Sequence, residues 1–414
     1  MTRGVAAAVV SLAGLACNVE PVITDSCNVK LEHAPGCPAA ALVVMSDYLA
    51  TQVGLARLDG ETLCESLASS ARTEASGVAL ALSGDVVVPS SRPPSGRAVL
   101  VDRYGTNVVS WVNPETAVFE GQLALGTGFE SNLQDYVELE DGRAFVSRWG
   151  ENAFSGEEPF DGGGDVLVID SRNPRILGRV ALERTDFPPR PSGMTRVGSQ
   201  IWVTLQRASL DVRSMGDGEI AGIDTDSESV AFSLVLPGLK NCGPVALSPS
   251  GARAAIACTG FIDPTGAAQN LDESALVLLD ASEAPPREVE RFTASELAGE
   301  PLQNELEFAS EELVLLKTQT AVGSNSNNRL LAFALANGTA EVLAEAAPKA
   351  DGLGGGVSFG GILCTPGCDD TCLLADGDRQ SLLRWAITPG GLEPLEALPV
   401  GRDVGLPPRD LASL

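Results

Sequence analysis

The 414-residue chain has one histidine, His33, and only 28 lysines and arginines against 55 aspartates and glutamates. With a single imidazole there can be no Ser-His-Asp triad, no Cys-His pair beyond that one ring and no multi-histidine metal site. A formal charge of −27 repels phosphate backbones, so nucleic acid is not an expected partner. Anionic lipid surfaces are disfavoured for the same reason, which leaves a lipid anchor as the only expected membrane contact. Long apolar runs are also missing. The longest candidate, Val5–Ala16, is shorter than the roughly 20 residues that a bilayer requires. No C-x-x-C-H haem site occurs, and the glycine-rich stretch Gly352–Gly361 lacks the Lys-Ser/Thr ending of a phosphate loop. No cofactor is expected.

What is present begins with an address. Arg3 precedes the apolar run Val5–Ala16, and small residues lead into Cys17. Residues 1–16 read as an export signal, 17–38 as a tether holding His33, and 39–414 as the folded unit. The Ala16-Cys17 junction resembles a bacterial lipoprotein signal, in which that cysteine becomes the lipidated first residue. Gly14 stands where that signal prefers leucine, and Gly14-Leu15-Ala16 also suits ordinary cleavage followed by secretion. The expected location is the cell envelope, lipid-anchored at the outer membrane or in the periplasm, or else outside the cell.

Nine cysteines are an odd number, and setting Cys17 aside leaves eight that can pair in an oxidising compartment. In the run Cys242–Cys258, two apolar segments flank Pro249-Ser250-Gly251. A three-residue loop there sets Cys242 opposite Cys258, at a distance a disulfide can bridge. Cys27 and Cys37 are expected to close a small loop. In the cluster Cys364, Cys368 and Cys372, Cys364 and Cys372 are expected to be bridged, and one member needs a distant partner, with Cys64 a candidate. The C-x3-C-x3-C spacing fits no common zinc pattern, so no metal is assigned.

Apolar hairpins recur from Ser76, Asn132, Arg190, Cys242, Asn304 and Val357, and a last run begins at Leu406 and stops, at intervals of 49 to 62 residues. Most are followed by a second pair of runs whose last member is more charged, as an exposed edge strand should be. Gly, Asn, Asp and Pro sit where the chain must reverse. Four short antiparallel strands per repeat predict an all-β fold, a seven-bladed β-propeller of four-stranded blades. The C-terminal Pro408–Leu414 is a first strand without a partner, and Ala39 onward supplies three strands without a first. Pairing the two ends closes the ring. A tandem of β-sandwiches is the structural alternative.

The stretch Ser131–Leu182 resembles the YVTN or YncE-like repeat of exported bacterial propellers. Gln134-Asp135, Gly142, Phe145-Val146 and Val166–Asp170 carry the likeness. It implies a fold more than an activity.

Polar residues at the entries of the inner strands should converge on one mouth of the central channel. The candidates for ligand binding are Asn132, Asp135, Arg190, Asn304, Arg409 and Asp410, with Asn241, Glu305 and the following Arg148-Trp149 near the same rim. The Asp-rich turns Phe160–Asp165, Met215–Asp226 and Cys368–Asp378 read as turn chemistry rather than Ca²⁺ loops. No catalytic residue is assigned. The expected role is a non-catalytic, monomeric binding or scaffold module for an envelope protein or small ligand. The alternative is a lactonase-like or other hydrolytic propeller that uses carboxylates at the channel mouth.

Overall fold

The computed structural model describes residues 27–32, 34–71, 80–262, 269–318, 328–346 and 358–414. Those residues form seven four-stranded antiparallel sheets arranged as a propeller, with two short helical turns at Leu271–Glu273 and Ala294–Leu297. Blade 1 is shared by the chain ends. Pro408–Ser413 is its inner strand and pairs with Ala41–Ser46, followed by Thr51–Ala56 and Thr62–Ser69. Leu411 lies directly opposite Val43. The inner strands of blades 2 to 7 are Val86–Val87, Leu133–Glu138, Pro191–Val197, Cys242–Leu247, Leu302–Ser310 and Phe359–Cys364.

Burial explains the composition of these strands. Blades stack face to face, so middle strands are covered on both sides and need no polar alternation. Ala41–Ser46, Thr51–Ala56 and Val108–Val112 are buried at every position. Outer strands such as Thr339–Glu345 and Gly391–Pro399 expose most of their residues.

The apolar interior is divided into seven clusters, each wedged between two adjacent blades. Trp111 of blade 2 meets Tyr136 of blade 3 edge to face, and its indole N–H donates to the Tyr136 hydroxyl at 3.1 Å. The closing strand feeds two wedges, since Leu411 packs toward blade 7 while Ala412 and Leu414 pack toward blade 2.

The inner strands all run from one end of the ring, here the entry face, to the other, the exit face. The entry face carries the loops between second and third strands and the blade-to-blade connections. Near the axis the strands come close enough to exclude side chains. A Cβ at Gly243 would overlap the Asn304 carbonyl of blade 6, and one at Gly360 would overlap that of Arg409 in blade 1.

Blade 2 departs from the sequence reading. The runs around Gly84-Asp85 looked like an inner hairpin, but Val86–Val87 is itself the inner strand and the second strand is Ala98–Asp102. Pro89, Pro93 and Pro94 in between prevent an immediate return. Residues 72–79 lie outside the described residues.

The cysteine pairs are Cys27–Cys64, Cys37–Cys368, Cys242–Cys258 and Cys364–Cys372. Cys242 and Cys258 are registered partners on adjacent strands, as are Cys364 and Cys372. The small loop expected between Cys27 and Cys37 does not form. Those two cysteines fasten residues 27–32 and 34–39 across the exit face as a strap rather than leaving them a free tether. Along it, Val29 N–H donates to the Glu115 carbonyl at 3.1 Å, Arg92 donates to the Gly36 carbonyl at 3.3 Å, and Ala39 N–H donates to the Leu414 carbonyl at 2.6 Å. Cys17, His33 and residues 1–16, where an export signal is expected, lie outside the described residues.

The Cys37–Cys368 bridge spans 331 residues of sequence and ties blade 7 to the strap across the seam of the ring. Long closed loops gain most from such a bond in the chain-entropy picture. Cys37→Ser/Cys368→Ser is expected to lose about 2–4 kcal/mol in urea unfolding. An unchanged midpoint and slope would show that strand pairing alone secures the seam.

Candidate functional site: the central channel

All seven inner strands line one axial cavity of about 480 Å³. A second cavity of about 310 Å³ opens at the entry face between blades 1, 2, 6 and 7. Five residues with carboxyl groups line these spaces: Asp85, which is paired with Arg103 of its own blade, and Asp135, Glu305, Glu307 and Asp410.

Asp135, Glu305 and Asp410 hold strands of neighbouring blades together. Inner strands of neighbouring blades are not paired as a sheet, so their inward N–H groups need other acceptors. Asp135 of blade 3 accepts from the Ser90 N–H at 3.0 Å and the Ser90 hydroxyl at 2.6 Å in blade 2. It also accepts from the Met194 N–H of blade 4 and its neighbour Tyr136, both at 2.7 Å. Glu305 of blade 6 accepts from the Ile362 N–H of blade 7 at 2.9 Å and from the Lys317 ammonium at 2.6 Å. Asp410 of blade 1 accepts from the Val88 N–H of blade 2 at 3.0 Å and from Leu411. In blades 4 and 5 the same task falls to a hydroxyl, since Thr195 donates to the Val245 carbonyl.

Glu307 is different. It follows Glu305 by two residues and so projects to the same side of its strand. Burial pushes its pKa up to about 8, and the charge of Glu305 adds to that. Asp410 is pushed up to about 7, by burial first and Glu305 second. Burial also raises Asp135, against the four hydrogen bonds that favour its charged form.

No family model matches the chain, and no curated protein does. Solved structures share its shape. A hypothetical selenium-binding protein from Sulfolobus tokodaii superposes with a TM-score of 0.57 at 10% identity, over 92% of this chain and 94% of that one. The periplasmic gluconolactonase of Pseudomonas aeruginosa gives 0.54 at 14% identity, over 90% and 98%. The hydrazine synthase of Kuenenia stuttgartiensis gives 0.51 at 15% identity, over 78% and 90%. Identities this low establish the propeller fold and leave the site to be argued from its own residues.

The expected ring of entry residues is only partly assembled. Asp135 and Asp410 line the axial cavity, while Asn304, Arg409 and Asp410 line the entry-face cavity. Arg409 lies over the Tyr48 ring at 3.7 Å and donates to the Ser46 carbonyl at 2.7 Å. Asn132, Arg190 and Asn241 share another property: each has a left-handed backbone, with φ of 48°, 52° and 52°. Their carbonyls accept from Trp149, Gln206 and Thr259. These three positions start the inner strands of blades 3 to 5 by turn geometry, for which asparagine is suited. They line neither cavity.

Arg148 is a clear correction. It is wholly buried inside blade 3, in a bidentate pair with Asp165 at 2.7 and 2.8 Å, and does not reach the channel. The Asp-rich turns are likewise occupied. Asp161 accepts from three successive backbone N–H groups and Asp224 from Ser227, and among the described residues no three metal-ligating side chains cluster. Of the glycine-rich stretch, residues 352–357 lie outside the described residues.

The sequence reading missed Glu307, Ser90 and Lys317. Glu307 was signalled by its alternation with buried Leu306 and Phe308, which places it on the channel side with Glu305.

Two outcomes test this geometry. Glu307 has a folded pKa raised above its unfolded value near 4.5, so the folded state binds more protons between pH 4.5 and about 8. Its charge therefore costs stability progressively as pH rises through that window. Glu307→Gln is expected to match the parent near pH 4 and to melt higher above pH 8. A melting difference independent of pH would place Glu307 outside the titrating set. Asp135→Ala strands buried N–H donors on three blades and is expected to cost about 3 kcal/mol or more in urea unfolding, several times the effect of Gln134→Ala. Equal effects would contradict a linking role.

Proposed function

We propose that the chain is a non-catalytic binding or scaffold propeller of the cell envelope, exported and held by lipid at Cys17. The observation that carries the reading is the use made of the channel carboxylates. Asp135, Glu305 and Asp410 are committed to backbone N–H groups of neighbouring blades, so moving or titrating them would loosen the ring. A hydrolytic site needs a free acid and base, or a nucleophile beside a base, within reach of one substrate atom. Of the carboxyl groups on the two cavities, Asp85 is paired with Arg103 and Glu307 stands apart from the cross-blade links.

Four disulfides suit an oxidising compartment. They account for every cysteine except Cys17, which leaves that thiol available for acylation. The gluconolactonase among the shape-related structures makes lactone hydrolysis the alternative to exclude.

With purified mature protein, hydrolysis of glucono-lactone and simple aryl esters is expected to stay at the buffer rate. Turnover that disappears in Glu307→Gln would overturn the non-catalytic reading. Intact-mass analysis after expression in a lipoprotein-processing bacterium is expected to show a chain beginning at an acylated Cys17 with no free thiol. A mature chain starting elsewhere and lacking lipid would remove the anchor.

A further inference from the structure

Three long connections on the entry face of blades 3 and 4 form one fastened unit. They are residues 152–162, 181–190 and 206–217; the turns 47–50 and 377–380, which join second to third strands in blades 1 and 7, are much shorter. Each exceeds the roughly four to six residues that commonly connect such elements. Three buried arginines pin them. Arg148, while paired with Asp165, donates to the Phe160 carbonyl at 2.6 Å. Arg190 stacks over the Trp149 ring at 3.9 Å and donates to the carbonyls of Trp149, Ala208 and Ser209. Arg207 pairs with Glu219 and donates to the Glu183 carbonyl at 2.6 Å. Arg184 of the second loop reaches Glu151 at 2.5 Å, the last residue of the strand that leads into the first loop.

The pinned loops display apolar side chains to solvent. Phe154 is 87% exposed, Leu210 65% and Val212 41%. Around them stand exposed Glu157, Glu158, Glu183, Asp186, Asp211 and Asp217. The two exposed cations, Arg184 and Arg213, are already paired with Glu151 and Asp211. The patch thus joins apolar area to uncompensated negative charge. Neither a second copy of this chain, which carries −27, nor an anionic lipid surface complements it. The strap and its disulfides lie at the opposite end of the ring, so this face points away from anything attached through the N-terminal segment.

We propose that this platform docks a partner protein through a segment presenting apolar side chains among lysines or arginines. The proposal rests on the binding reading above and names the surface and the chemistry. Phe154 and Leu210 supply the buried contact, and the acidic rim selects the basic partner and speeds the encounter. The pinned backbone lowers the ordering cost of association.

The test uses the mature protein and a fluorescent amphipathic Leu/Lys peptide, with a Leu/Glu peptide of the same pattern as control. Saturable binding of the Leu/Lys peptide that weakens with added salt is expected. Phe154→Ser/Leu210→Ser should weaken it by about tenfold or more. Val118→Ser, on the exit face, should leave it unchanged. An unchanged melting temperature in the platform variant excludes misfolding, and Phe154→Tyr should retain binding if it does not. Equal affinity in the platform variant and the parent overturns the proposal. So does comparable binding of the Leu/Glu peptide, preferential binding to anionic vesicles, or a dimer in sedimentation that Phe154→Ser abolishes. Lactone turnover would instead overturn the non-catalytic reading, so the two failures are distinguishable.

Discussion

Pairing of Pro408–Ser413 with Ala41–Ser46 is the contact on which the rest of this structure depends. Each blade buries its middle strands only because another blade lies against each face. An open row of sheets would leave two apolar faces wet, and the cost would fall on the terminal blades. Closing the row turns seven marginal sheets into mutual support, with Leu411 filling one wedge and Ala412 and Leu414 the next. The closing strand is therefore placed by hydrogen bonds on one side and by packing on both.

At the axis the difficulty reverses. Inner strands converge there without pairing to one another, and their polar backbone faces a narrow space. The chain answers with carboxylates and hydroxyls that reach across. Asp135 alone spans blades 2, 3 and 4. This explains how an acidic channel can be structural. Asp135 and Asp410 accept backbone N–H groups that favour their charge, while burial and the proximity of Glu305 oppose charge at Asp410 and Glu307.

Sequence carried the architecture well because propeller blades repeat one physical unit. Doubly covered strands wrote themselves as continuous apolar runs, and edge strands as charged ones. Opposed positions around Pro249-Ser250-Gly251 placed Cys242 against Cys258. Local pattern failed where the answer depended on distant chain. Cys37 meets Cys368, and nothing near Cys37 signals a partner in another blade. Asn132, Arg190 and Asn241 looked like a functional ring because turn geometry and ligand binding both favour polar residues. The channel acid Glu307 was hidden by the same preference for strand entries over strand interiors. In blade 2 the prolines after Val88 delayed the return of the chain, and an apparent hairpin concealed a two-residue inner strand.

The strap across the exit face also sets how the ring would respond to tension. A pull on the chain before Cys27 is passed by one sulfur bridge into the outer strand of blade 1 at Cys64. Any force that continues to Cys37 is passed by a second bridge into blade 7. The closing strand, held only by hydrogen bonds and packing, lies beyond both. The covalent links thus shelter the closing seam of the ring from strain applied at its N-terminal end.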